Sequence, residues 1–138
     1  MLVTYTEATY EAGAFQGRDL PFYSRHFGSI GARYQYNDWA LGADVFAPSK
    51  QHSPGNAADG ATYVTDEDPT GRLGDIAGYA TVNLRVAYEP QNRKNPPKFA
   101  FGVRNLFDKE YFTHSTDNNG GKFVGQPRTF FVNASIAF

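Results

Sequence analysis

Cysteine is absent from the 138 residues, which excludes a disulfide scaffold, a thiolate metal site and a cysteine nucleophile while leaving the compartment open. No run of about eighteen apolar residues exists, so no helix crosses a membrane. Barrel strands alternate and keep average hydropathy low, so that absence leaves a β-barrel possible. Neither sign of charge is in excess, with 13 Lys and Arg against 14 Asp and Glu, and this balance gives no field to gather nucleic acid or an anionic membrane surface. No glycine-rich loop follows a strand and opens a helix, and no serine, histidine and carboxylate are arranged for hydrolysis. His26, His52 and His114 lack ligand spacing to a carboxylate or thiol and read as solvated loop residues. The run Asp66-Glu67-Asp68 falls short of a calcium cage, which takes about six to eight oxygens. Catalysis and a resident metal or cofactor are not expected. The first residues carry no basic stretch, apolar core and small-residue cleavage site, and Met1 leads straight into a strand. The expectation is a piece of a longer polypeptide.

What the chain does hold is 12 Phe, 9 Tyr and 14 Gly, a composition that favours β structure. The clearest pattern is a hairpin with an oversized loop. Phe99, Phe101 and Val103 alternate with Ala100, Gly102 and Arg104, and Phe130, Val132, Ala134, Ile136 and Phe138 alternate with Phe131, Asn133, Ser135 and Ala137. Period two also predicts strands over residues 26–36, 39–47 and 80–88 and, with unresolved facing, over 2–10. Phe46 and Phe131 are apolar exceptions on otherwise small or polar sides. Val82, Leu84, Val86, Ala134 and Ile136 share one expected face, Asn83, Arg85, Asn133 and Ser135 the other. Long connections (11–25, 48–78, 108–128) alternate with short ones (37–38, 89–97), so all the long ones fall at one end. Aromatics flank both strand ends: Tyr34, Tyr36, Trp39, Tyr88, Phe99 and Phe138 beside the short turns, Tyr10, Tyr79, Phe107, Tyr111 and Phe130 beside the long loops. Strands of about nine to eleven residues, two aromatic girdles and one-sided long loops are the pattern of a transmembrane barrel.

The expected fold is therefore all-β, an antiparallel up-and-down transmembrane β-barrel segment. Six strands cannot close, since single-chain outer-membrane barrels start at about eight, and an open edge in lipid leaves backbone groups unsatisfied at several kcal/mol each. The segment needs the rest of a wall. A soluble β-sandwich or lectin-like binding module is the alternative, because it also shows period-two strands with turn signals, and it would bury the apolar face in a core. An enzyme housed in a barrel would need a nucleophile and base that the sequence does not offer.

Asn105-Leu106-Phe107-Asp108-Lys109-Glu110-Tyr111, Gly125-Gln126-Pro127-Arg128-Thr129 and the terminal Phe138 resemble the closing strands of TonB-dependent outer-membrane receptors. Residues 17–26, 71–76 and 117–122 look most like the ferric citrate receptors within that family. The resemblance implies that residues 1–138 are the last six strands of a barrel of about 22 strands with a plugged lumen, without the plug domain and the TonB box. It implies a location in the outer membrane of a Gram-negative bacterium and a share in importing a ferric chelate, with ferric citrate the chelate that the narrower resemblance points to. The implied partners are outer-membrane lipid, the missing barrel and plug of the same receptor, TonB through an upstream segment, and the barrel-assembly machinery, with Phe138, Ile136 and Ala134 forming the assembly signal.

Two groups of charged residues invite a role. Arg33, Arg85, Arg104 and Asp44 lie on the polar faces and would line the lumen, either to meet a plug or substrate or merely to pair across strands. Arg18, Arg25, Arg72, Lys122 and Arg128 lie in the long loops and could hold an anionic chelate by charge-assisted hydrogen bonds. Those loops carry more acid than base, so charge by itself does not argue for an anion.

Overall fold

The computed structural model describes residues 1–13, 15–52, 75–90, 95–115 and 122–136. Expectations on Arg72, Asp66 to Asp68, the backbone of 117–121 and Phe138 lie outside those residues. The described chain forms β1 (Leu2–Tyr5), β2 (His26–Tyr36), β3 (Trp39–Pro48), β4 (Thr81–Tyr88), β5 (Lys98–Arg104), β6 (Phe112–Ser115), β7 (Lys122–Val124) and β8 (Thr129–Ser135). Six of them make one antiparallel meander in the order β1-β2-β3-β4-β5-β8, and β6 and β7 pair separately. The large hairpin of the sequence is therefore real, since β5 pairs β8 from Lys98↔Ser135 to Arg104↔Thr129. Its connection contains a small hairpin, β6 with β7, where the sequence pattern predicts only loop.

Register fixes the two faces, because partners in neighbouring strands point the same way. One row runs Tyr34↔Leu41↔Val86↔Phe101↔Val132, and the next runs Tyr36↔Trp39↔Tyr88↔Phe99↔Ala134. The opposite face has Arg33↔Gly42↔Arg85↔Gly102↔Phe131 and Gln35↔Ala40↔Ala87↔Ala100↔Asn133. The facing read from alternation thus holds for β2 to β5 and β8.

Burial is inverted relative to a soluble domain. Tyr34 is 64%, Trp39 53% and Phe101 52% exposed, whereas the buried apolar residues include Ala40, Ala87 and Ala100, in contact with one another on the polar face. A sandwich would seat a second sheet on the aromatic rows. None does so among the described residues, and the sandwich alternative fails on that observation.

Several expectations need correction. The first strand ends at Tyr5 rather than Tyr10. Beyond Thr6, whose N–H still donates to the Arg25 carbonyl, the Tyr23 hydroxyl takes the ladder's place: it accepts from the Ala8 N–H at 3.0 Å and donates to the Ala8 carbonyl at 2.7 Å. With a side chain satisfying both groups of one residue, the backbones no longer need to stay adjacent. β4, β5 and β8 have 8, 7 and 7 residues, shorter than nine to eleven; only β2 with 11 and β3 with 10 reach that length. The Phe131 exception also has a cause. Its ring lies over Gly102, where an added Cβ would sit 2.3 Å from the ring, and the Arg104 guanidinium lies over the same ring, 5.5 Å from its centroid. An aromatic thus covers a glycine on the neighbouring strand.

The tight turn between β2 and β3 holds Asn37 at φ 49, a left-handed conformation that asparagine tolerates better than most residues. The Glu89 N–H donates to the Asp38 carbonyl at 2.7 Å, tying together the two short connections. The three long connections leave from the other end of the sheet.

Candidate functional site

The third long connection begins at Asn105, which is 3% exposed with φ 50. Its Nδ2 donates to the carbonyls of Lys109 and Gln126, at 2.9 and 3.0 Å, and its Oδ1 accepts the Lys109 N–H at 2.9 Å. Its own N–H donates to Asn83 Oδ1 at 3.0 Å. Three residues on, Asp108 accepts the Arg128 N–H at 2.8 Å and pairs with the Arg128 guanidinium at 3.7 Å. Tyr111 then lies over Gly125, where an added Cβ would come within 2.2 Å of the ring. The segments 105–111 and 125–129, distant in sequence, are two halves of one clasp.

The second connection is organised by Asp75. Its carboxylate accepts from Lys50 Nζ at 3.2 Å and from His52 Nδ1 at 2.9 Å, and its carbonyl accepts from Lys122 Nζ at 3.1 Å. Next to it, Ile76 is 1% exposed and bridges Gln51, which in turn bridges Ser24 of the first connection. Tyr79 stacks on Tyr111 at 4.0 Å between ring centroids. Burial foremost, then the neighbouring Tyr111, raises the Tyr79 pKa above its ordinary 10.0. All three long connections are thus joined over one end of the sheet.

Between the first two connections is a cavity of about 330 Å³ lined by residues that include Arg25, His26, Lys50 and His52 together with Asp19 and Asp75. The Arg25 guanidinium pairs with Asp19, and that hydrogen bond raises its pKa. Of the loop cations singled out from sequence that lie among the described residues, Arg25 lines this cavity, and Lys122 reaches the carbonyl of one of its lining residues. Arg128 is engaged by Asp108 elsewhere, and Arg18 is an exposed residue whose backbone joins the Tyr10 to Gly17 turn. The structure therefore does not gather Arg18, Arg25, Lys122 and Arg128 into one anion site.

His52 also departs from expectation: its side chain is only 8% exposed and bonded to Asp75, so it is an interior element of the loop layer rather than a solvated histidine. Composition gave no hint of this, because the partner lies 23 positions away. His26 is exposed beside Tyr5, with ring centroids 5.2 Å apart. Among the described residues no group of three His, Cys, Asp or Glu is placed to hold a metal ion.

On the polar face of the sheet the charged residues mostly find neighbours. Arg33 pairs with Glu89 at 3.1 Å, Asn83 Nδ2 donates to Asp44 at 2.7 Å, and Arg104 lies over Phe131. Cross-strand pairing, the plainer of the two readings, describes these three.

With the exposed aromatic rows and the clasp established, comparison with known proteins decides the family. Residues 2–106 match the family described as TonB dependent receptor-like, beta-barrel. The chain belongs to that family. Its sheet is an open, all-β antiparallel segment of the receptor barrel, and the family consists of transport receptors rather than enzymes. Among solved structures it is similar to the unliganded ferric citrate transporter FecA, with 34% identity and a TM-score of 0.75 over 90% of this chain and 18% of that one. The ferric-catecholate import receptor Fiu from E. coli shares 23% identity, with a TM-score of 0.75 over 99% of this chain and 18% of that one. The ferric enterobactin receptor PfeA from Pseudomonas aeruginosa shares 23%, with a TM-score of 0.72 over 99% of this chain and 19% of that one. The latter two likenesses concern the fold alone. The chain spans under a fifth of the length of each of these receptors.

Proposed function

We propose that this chain forms the closing stretch of wall, the last six strands, of an outer-membrane TonB-dependent receptor that imports a ferric chelate, and that the chelate is ferric citrate. The observation that carries the receptor reading is a large-residue apolar face left exposed across β2 to β5 and β8 in a chain of this family. Such a face is stable against lipid and costly against water. The citrate reading is supported by the 34% identity to FecA, while the catecholate receptors lie at 23%. In this role the polar face meets the lumen and a plug, energy comes through TonB, and the barrel-assembly machinery inserts the wall. Its location is the outer membrane of a Gram-negative bacterium. The chain contributes wall and loop cover, with Arg25 and Lys122 the best placed of the loop cations to approach a ligand; Arg18, Arg72 and Arg128 remain loop candidates of lower rank.

The test is deletion of the gene that encodes the chain, followed by uptake of radio-iron supplied as ferric citrate or as a ferric catecholate. Loss of the citrate-dependent uptake alone is the expected result. Loss of catecholate-dependent uptake alone would keep the receptor and overturn the substrate, and undiminished uptake of both would overturn the transport role.

A further inference from the structure

The row Arg33↔Gly42↔Arg85↔Gly102 crosses β2 to β5 on the polar face. Neighbouring strands lie about 4.8 Å apart, so the two arginines stand about 10 Å apart at Cα with a glycine midway. A Cβ built on Gly42 would meet nothing nearer than 3.9 Å, an ordinary contact distance, so a side chain would fit there and the floor between the arginines is bare backbone. Arg33 is already oriented, its Nη2 donating to Glu89 at 3.1 Å and to Gln35 at 3.2 Å. A guanidinium has five N–H donors, which leaves it capacity for a further acceptor. Arg85 is exposed, and among the described residues no carboxylate lies within ion-pair distance of it.

Electrostatics point the same way. The polar face carries Arg33, Arg85, Lys98 and Arg104 against Asp44 and Glu89, an excess of cations that the long connections lack. In a cleft with low-dielectric walls such an excess concentrates anions, and paired guanidiniums suit carboxylates because their planar forks match the two oxygens.

We propose that Arg33 and Arg85, straddling Gly42, form a carboxylate-binding saddle on the inner face of the wall. The carboxylate comes either from a polycarboxylate ligand in transit or from an acidic side chain of a segment seated in the lumen. The inference rests on the barrel-wall reading above; its ligand arm rests in addition on a polycarboxylate chelate, whereas its lumenal-segment arm holds whichever chelate is imported.

Outer membranes from cells producing the receptor from its own gene are titrated with radiolabelled citrate and with ferric citrate. In parallel, a photo-crosslinker replaces Gly31, which is exposed two positions from Arg33 on the same face and holds none of the saddle's side chains. If a ligand supplies the carboxylate, Arg85→Gln weakens saturable binding by about ten- to a hundredfold, as loss of one charge-assisted hydrogen bond does. Gly42→Leu, which fills the floor without touching charge, weakens it comparably, Arg85→Lys restores part of it, and Lys98→Gln, which removes only a more distant charge of the same face, weakens it less than Arg85→Gln does. If a lumenal segment supplies the carboxylate, citrate binding is indifferent to Arg85→Gln, but the crosslink captures an acidic peptide of the same receptor and its yield falls in Arg85→Gln. Receptor amount is matched by immunoblot in each membrane. Indifference of both readouts to Arg85→Gln overturns the saddle, and because the gene-deletion uptake test is scored separately, that result leaves the transport role standing.

Discussion

Asn105 shows how much of the loop layer hangs on single side chains. It is buried, left-handed in backbone, and spends both ends of its amide on backbone partners in two segments. Asn105→Gly keeps the backbone freedom and loses the amide, whereas Asn105→Ala loses both. We expect Asn105→Ala to cost about 2–4 kcal/mol, combining unsatisfied buried groups with left-handed strain, and Asn105→Gly about 1–3 kcal/mol. Urea unfolding of the receptor in detergent measures both; equal stability of Asn105→Ala and the parent would show that the clasp is decorative. Tyr79 offers a pH-dependent counterpart. Its folded pKa is raised above 10.0, so its contribution is complete below pH 10.0 and disappears as pH climbs through the higher folded value. Alkaline loss of the Tyr79–Tyr111 stack, followed by phenolate absorbance and loop protease sensitivity, should vanish in Tyr79→Phe, and persistence of the same alkaline transition in that variant would assign it to another group.

At the scale of the element, the strand faces can be tested by charge. Leu84 shares its row with Ala43 and Val103 on the apolar face, and Leu84→Arg should cost about 2–4 kcal/mol near mid-membrane. Asn83 is a poor control despite facing the other way, because its side chain donates to Asp44 and accepts the Asn105 N–H. Asn133→Arg is better, since Asn133 is exposed on the polar face beside Ala100, and it should cost less than about 1 kcal/mol. Similar losses in refolding for Leu84→Arg and Asn133→Arg would sink the facing. These faces were legible in the sequence wherever alternation ran unbroken, as in Val82 to Tyr88, because period two needs no knowledge of partners. β1 was not legible, since its end is set by the Tyr23 hydroxyl 15 positions downstream of Ala8. The β6 and β7 hairpin was too short, at 4 and 3 residues, to show a period. The arginine row was missed for a related reason. Arg33 and Arg85 were each visible, but only register shows that they face one another across Gly42.

For the whole molecule the decisive feature is that the sheet is open. β1 and β8 are its edges, and edge backbone with apolar side chains seeks another strand. The chain by itself in aqueous buffer should therefore form oligomers or aggregates, and a monomer that unfolds cooperatively in plain buffer by sedimentation and circular dichroism would contradict the wall reading. The β8 edge has a further consequence. Phe130, Val132, Ala134 and Ile136 stand exposed along it, and Phe138 continues their spacing in the sequence. An extended strand with one apolar face and a free edge can join a partner's sheet edge by backbone hydrogen bonds while pockets read alternate side chains, which is what an assembly machine needs from a substrate not yet closed. A girdle aromatic, by contrast, contributes only interfacial stability. Removing Phe138 from the full receptor separates the two roles: an assembly signal loses surface abundance and leaves unfolded precursor, whereas a girdle residue gives normal insertion and a modest loss of stability once inserted. We expect the first result in pulse-labelled cells, and normal insertion kinetics with normal surface amount would reduce Phe138 to a girdle residue.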